Sequence, residues 1–136
     1  MLLLGCGSRA VSWRPVTAAA TSSDVDRMVR QALLFDASRD VGADSLYAPD
    51  AVVVANARVR LGHPRYAGVG YGGRVTVAAA SVTLSGEFAW ATLDYRWFNM
   101  AQRQAEAGRA TFVLAKRPSG WKIIHAHSSQ LLPWDR

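Results

Sequence analysis

The feature that most limits the fold of this chain is the segment from Arg109 to Ser129, whose pattern is typical of a long β-hairpin. An apolar strand leads into the turn Arg117–Gly120, and a second strand with two-residue alternation follows. Because successive side chains of a strand point to opposite faces, this alternation places four residues on one face: Trp121, Ile123, His125 and His127. The pattern therefore predicts that both histidines lie on the face that carries the apolar residues.

Length and composition are those of one globular domain. A chain of 136 residues, half of them apolar, can bury roughly two-thirds of its unfolded surface around a single core. The formal net charge is +6, but the sixteen Lys and Arg residues are scattered and form no basic tract. We therefore expect no nucleic-acid partner.

The N-terminal residues 1–21 are set apart from the rest by their composition. The tetrapeptide Leu3–Cys6 resembles the lipobox of bacterial lipoproteins, in which the cysteine is lipidated. The apolar run is shorter than the roughly 7–15 residues of a signal peptide, and no basic residue precedes it. Two interpretations stay open: a truncated signal with a lipidated Cys6 that tethers a periplasmic or cell-envelope protein to a membrane, or a flexible tether on a cytoplasmic protein. Residues 22–136 form the predicted domain.

A helix is predicted to begin at Ser23, a suitable N-cap, and to end near Asp40, before Gly42. Its apolar residues form one stripe on a 3.6-residue wheel: Val25, Met28, Val29, Ala32 and Leu33. Asp36 falls within this stripe. Since a carboxylate on a buried face is costly unless it is paired or lines a cavity, Asp36 is a candidate pocket residue.

The rest of the chain predicts β-strands. Strands are expected over residues 51–55, 74–84 and 88–99, in addition to the C-terminal hairpin. The loop Gly62–Gly73 contains a G-x-G-x-x-G pattern, but it precedes a strand instead of opening a helix, which excludes a dinucleotide fingerprint. One helix followed by long antiparallel strands predicts an α+β fold with a curved sheet wrapped on the helix.

Three segments, Leu46–Val54, Gly86–Ala91 and Gly120–Ser129, resemble SnoaL-like members of the nuclear-transport-factor-2-like superfamily. The last of them is also similar to the end of the association domain of calcium/calmodulin-dependent protein kinase II. The resemblance implies a cone: a strongly bent, mixed, mostly antiparallel sheet around a long N-terminal helix, open at one end to a pocket, in a homodimer packed sheet to sheet. The helix that usually follows the first strand pair is replaced here by the loop Gly62–Gly73, so the pocket is either open or covered by that loop.

Ketosteroid isomerases share this fold but need a base carboxylate and an oxyanion donor. The resemblance puts the position of the base at Ala55 and that of the tyrosine donor at or near Gln31, and no carboxylic acid occupies the strand Ala110–Lys116. The sequence therefore argues against this activity.

The candidate catalytic residues are Asp36, His125 and His127. A histidine beside a buried carboxylate can act as a general base in lyase, hydrolase or cyclase chemistry. Alternatively, one histidine caps the sheet edge while Asp36 pairs with Arg39 or Arg96. The candidate ligand-binding residues are Tyr47, Trp90, Asp94, Arg96 and Trp121, although Asp94 and Arg96 also fit a cross-strand ion pair.

We expect no metal and no cofactor. His125 and His127 would need a third ligand, and the sequence offers only Asp36 or His63. The leading hypothesis is a dimeric SnoaL-like domain that binds a small, largely apolar molecule, with catalysis left open. The alternative is a non-catalytic oligomerisation or envelope-associated module whose hairpin face forms an interface.

Overall fold

A computed structural model describes residues 21–132. The predicted tether and the lipidation of Cys6 lie outside these residues and stay predictions. One α-helix and a 3-10 helix precede six strands: α1 (Ser22–Ser38), the 3-10 helix (Val41–Leu46), β1 (Tyr47–Ala55), β2 (Arg58–Val59), β3 (Arg74–Ser85), β4 (Phe88–Asn99), β5 (Gln104–Arg117) and β6 (Gly120–Gln130). The strands form one sheet in the order β2-β1-β6-β5-β4-β3, in which only β1 and β6 pair in parallel. The predicted α+β class, with a curved, mostly antiparallel sheet on an N-terminal helix, is confirmed.

The N-cap of helix α1 lies two residues before Ser23, the N-cap that the sequence pattern predicts. Thr21 is the N-cap, and its backbone N–H and hydroxyl both donate to the Asp24 carboxylate, at 3.0 and 3.1 Å. The helix ends at Ser38, where Arg39 adopts a left-handed conformation. The predicted stripe is buried, apart from the partly buried Met28, and it packs against the apolar inner face of the sheet. The helix is therefore held by burial of one face, as is usual for a helix of this length.

The inner face of the sheet is built by alternation, which runs from Ala89 to Trp97 in β4 and from Gly108 to Leu114 in β5. Its buried residues in these two strands are Ala89, Ala91, Leu93, Tyr95, Trp97, Ala110, Phe112 and Leu114. The β4–β5 ladder runs without a register shift, so alternate side chains of both strands reach the core together.

Strand β6 departs from the predicted alternation because it carries a β-bulge. Leu114 pairs with Ile123 but Val113 pairs with His125, so Ile124 is an extra residue. An extra residue exchanges the two faces for everything that follows it. The prediction that His125 and His127 share a face with Trp121 and Ile123 is therefore wrong: Ala126 and Ser128 continue the buried face, while His125 is half-buried and His127 exposed on the outer face.

The loop between β2 and β3 packs against the inner face of the sheet. Tyr66, Ala67 and Val69 are buried, and the Tyr66 ring lies 5.4 Å from that of Phe112, centroid to centroid. Backbone and side-chain hydrogen bonds tie the loop on both sides, among them Ala67 N to Ser128 Oγ at 2.9 Å and Gly72 N to the Ala37 carbonyl at 2.8 Å. The sequence left open whether this loop covers the concave side of the sheet, and in the structure it covers the inner face.

Candidate functional site

Asp36 is the polar centre that joins α1 to this loop. Its side chain is 1% exposed, and it accepts hydrogen bonds from three residues of the loop. The Arg65 backbone N–H lies 2.8 Å from both carboxylate oxygens, the Tyr66 N–H 3.1 Å from Oδ2, and His63 Nδ1 3.0 Å from Oδ1. The predicted burial of Asp36 is confirmed, but the alternative in which it pairs with Arg39 or Arg96 is wrong, because its partners all lie between His63 and Tyr66.

Burial raises the pKa of Asp36 above its ordinary value, since desolvation disfavours the charged form. The N–H donors of Arg65, His63 and Tyr66 act in the opposite direction but do not cancel it. These contacts leave Asp36 bound on both oxygens. The side chain therefore serves first as the anchor of the loop.

A second polar layer lies beside this anchor. The hydroxyls of Tyr47 and Tyr66 are hydrogen-bonded to each other, and the Arg65 guanidinium lies 4.5 Å above the Tyr47 ring while it pairs with Asp44. Burial raises the pKa of Tyr47 to about 12, against the lowering effect of the Tyr66 hydroxyl and Arg65. Both tyrosines are consequently neutral near pH 7 and offer hydroxyl groups, not phenolates.

Next to this layer, a pocket of about 340 Å³ opens between β1 and the start of the loop. One wall is apolar and consists of the β1 residues Ala48, Pro49, Ala51 and Val53. The same pocket is lined by the polar side chains of Tyr47, Arg60 and Arg65, together with Asp44. The pocket volume lies at the lower end of the roughly 300–1,000 Å³ that is typical of ligand pockets. Tyr47, a predicted ligand-binding residue, lies in this pocket.

The other predicted ligand-binding residues do not line this pocket. Trp90 is on the outer face of the sheet and 45% exposed, and Trp121 is buried under α1. Asp94 pairs with Arg109 of β5, at 2.6 and 3.1 Å, so the expected pair with Arg96 is wrong. Arg96 follows Asp94 on the same strand and is exposed there.

The two predicted catalytic histidines are likewise separated from Asp36. His125 pairs with Val52 and Val113, and His127 with Val54 and Thr111, on the face that looks away from the helix. The imidazole that Asp36 does contact belongs to His63, which the sequence pattern suggested only as a possible metal ligand. Two features of the sequence point to this contact between Asp36 and His63. One is a carboxylate within the apolar stripe of α1, and the other is a histidine in the long glycine-rich loop.

The described part of the chain has neither a metal-binding cluster nor a membrane-spanning helix. Residues 21–132 contain no cluster of three or more His, Cys, Asp or Glu side chains arranged to hold a metal ion. No helix within the same range is long and apolar enough to cross a membrane.

The bent sheet on one helix defines a nuclear-transport-factor-2-like cone domain. A model of the SnoaL-like domain matches residues 16–133, and the chain belongs to this family. No functionally curated protein matches the sequence.

Solved structures with the same fold support the class. A nuclear-transport-factor-2-like superfamily protein from Salmonella enterica is 17% identical, with a TM-score of 0.64 over 82% of this chain and 91% of that one. A ketosteroid isomerase-like protein from Erwinia carotovora is 16% identical, with a TM-score of 0.61 over 82% and 97%. The association domain of Caenorhabditis elegans calcium/calmodulin-dependent protein kinase II is 14% identical, with a TM-score of 0.62 over 79% and 93%. At these identities the similarity extends to the fold alone.

Proposed function

We propose that this SnoaL-like domain binds a small molecule in the pocket between β1 and the loop. The observation that carries the proposal is the pairing of an apolar β1 wall with the polar groups of Tyr47, Arg60 and Arg65 in one concavity. The loop that supplies Arg65 is anchored by Asp36, so the polar side of the pocket is held in place before a ligand arrives. Preorganisation of this kind lowers the entropic cost of binding.

The proposal concerns binding and assigns no reaction. The one buried carboxylate of the described residues, Asp36, already accepts hydrogen bonds on both oxygens from the loop. A general base needs an oxygen or nitrogen within hydrogen-bond reach of the substrate proton. Asp36 therefore supports the shape of the pocket, and His125 and His127 lie on the other face of the sheet.

A fragment screen tests this proposal. Small apolar and amphipathic compounds are added to the protein at millimolar concentration, and chemical-shift changes of backbone amides report where they bind. We expect perturbed amides along β1 and the start of the loop. The variant Ala51→Phe, which fills the pocket, should weaken binding by about tenfold or more, since the ligand loses its contact area.

The matched control is Ala79→Phe, because Ala79 is exposed on β3 and lies outside the pocket. It adds the same side chain and should leave binding unchanged. Equal loss of binding in both variants, or perturbed amides elsewhere only, would contradict the proposal.

A second proposal is that two copies associate through the outer face of the sheet, in the manner that the family resemblance implies. Four neighbouring strands present one row of side chains there: Val52, His125, Val113 and Trp90. Val52 and Trp90 are exposed, and so is Phe88, two residues before Trp90 on β4. Exposed apolar side chains grouped in this way are typical of an interaction surface. The name of the similar association domain agrees with assembly through this fold.

Sedimentation of the wild type and of Trp90→Glu tests self-association. We expect a dimer for the wild type and a dimer weakened by about 2 kcal/mol or more for the variant, because tryptophan is enriched among the hot spots of interfaces. The control Val41→Glu changes an exposed residue of the 3-10 helix, away from the sheet, and should remain dimeric. A monomeric wild type, or a variant that dimerises equally well, would refute the assignment.

A further inference from the structure

The pocket between β1 and the loop carries more positive than negative charge. Arg60 and Arg65 both line it, whereas Asp44 is the one carboxylate among its lining residues. Most of the remaining lining is apolar and comes from β1 and from Leu61 and Gly62 of the loop. The pocket therefore combines two cations with a surface that suits a hydrocarbon body.

Arg65 is held in a position where its charge is incompletely compensated. Its side chain is only 13% exposed, but that of its ion-pair partner Asp44 is 77% exposed. Solvent screens the exposed carboxylate, so it offsets only part of the desolvation of the guanidinium. The Arg65 Nη1 atom is buried and has no hydrogen-bond partner among the described residues. Asp44 alone therefore does not satisfy all the donors of this guanidinium.

The guanidinium is also fixed in orientation. Its Cζ lies 4.5 Å from the centroid of the Tyr47 ring, and the backbone N–H of Arg65 is bound to the Asp36 carboxylate. A guanidinium held in a plane presents a fork that matches the two oxygens of a carboxylate. Arg60 stands on the exposed rim of the same pocket and adds a second cation.

We infer that the ligand of this pocket is a small organic carboxylate with an apolar body. Its carboxylate is bound by Arg65 and Arg60, and its body lies on the wall formed by Ala48, Ala51 and Val53. This inference rests on the proposed function and adds the chemical class of the ligand to it. Asp44 competes with the ligand for the guanidinium, so removal of its charge is expected to strengthen binding of the ligand.

The test uses pairs of probes that differ only in charge: benzoate with benzamide, and hexanoate with hexanamide. Each is titrated into the ¹⁵N-labelled protein at low and at high salt. We expect each acid to bind about tenfold or more tightly than its amide, because a hydrogen bond to a charged group is worth more than a neutral one. This preference should shrink at high salt.

Three variants separate the roles of the charged residues. Arg65→Met keeps much of the side-chain length without the charge and should reduce acid binding to the level of the amide. Arg60→Gln should weaken it by a smaller factor, since Arg60 is exposed. Asp44→Asn should increase affinity for the acids severalfold, because it removes the competing carboxylate. A purely structural role of the Arg65–Asp44 pair predicts no gain from this last change.

The titrations distinguish failure of the carboxylate inference from failure of the proposed function. If acids and amides bind equally well and Asp44→Asn brings no gain, the carboxylate class is wrong while small-molecule binding at the pocket stands. If neither acids nor amides perturb the pocket amides, both the inference and the proposed function are overturned. If Arg65→Met does not fold, Arg60→Gln and Asp44→Asn decide the question, since both replace exposed side chains.

Discussion

Replacing Asp36 with alanine is expected to lower the free energy of unfolding by about 3 kcal/mol or more, because it leaves three buried or partly buried donors without an acceptor at about 1–3 kcal/mol each. The donors are the backbone N–H groups of Arg65 and Tyr66 and the imidazole of His63. The N–H groups can regain partners only by moving into water. Tyr66 would then leave its place against Phe112, and part of the inner face of the sheet would lose its cover.

Urea denaturation measures the loss of stability, and two further measurements locate it. Hydrogen exchange at the amides of Arg65, Tyr66 and Ala67 should become faster than in the wild type. Trypsin should cleave the loop more rapidly, since Arg60 and Arg65 both lie in it. These local effects distinguish release of the loop from a general weakening of the helix.

The control is Asp26→Ala, an aspartate of the same helix with a different environment. Asp26 forms a partly exposed ion pair with Arg30, at 2.8 Å and a spacing of four residues. Such pairs contribute about 0.3–0.5 kcal/mol, so the control should be nearly as stable as the wild type. If Asp36→Ala were equally mild and left exchange in the loop unchanged, Asp36 would not be the anchor of the loop.

The central position of Asp36 shows what helical periodicity can predict. Its burial follows from its place in a stripe with a period of 3.6 residues, which local geometry alone determines. Its partners could not be predicted, because two of the three contacts use backbone N–H groups that every residue except proline carries. The third partner, His63, lies 27 positions along the chain in a segment without periodicity.

The C-terminal strand shows where a period-2 pattern fails. The fold class followed from the lengths of the strands and from the resemblance of three segments, and both survive an error in one register. The faces of His125 and His127 depended on every residue between Trp121 and His127 alternating, and one bulge at Ile124 reversed them. The consecutive apolar residues Ile123 and Ile124 are compatible with either register, so the sequence does not reveal the bulge.

Gly73, at the C-terminal end of the loop, is the site of a second substitution for which we expect a large loss of stability. Gly73 has φ +72°, and a Cβ added there would lie 2.3 Å from the Phe98 carbonyl oxygen, a backbone atom of the neighbouring strand β4. We expect Gly73→Ala to lower the free energy of unfolding by about 2–5 kcal/mol, the sum of a left-handed conformation at about 1–2 and an overpacked contact at about 1–3. The strand must shift, since no flexible side chain can yield.

Gly62 at the other end of the loop is the matched control for this variant. It has φ +79°, but a Cβ there would meet nothing within 4 Å. Gly62→Ala therefore isolates the conformational cost, about 1–2 kcal/mol, and the difference between the two variants measures the close approach to Phe98. Urea denaturation gives both values, and faster exchange near the Arg74–Phe98 pair should accompany Gly73→Ala alone. If both variants lost the same free energy of unfolding, β4 would be able to move away from the added methyl group at no cost. The prediction would then be wrong, and the loop would be fixed only at the end that Asp36 binds.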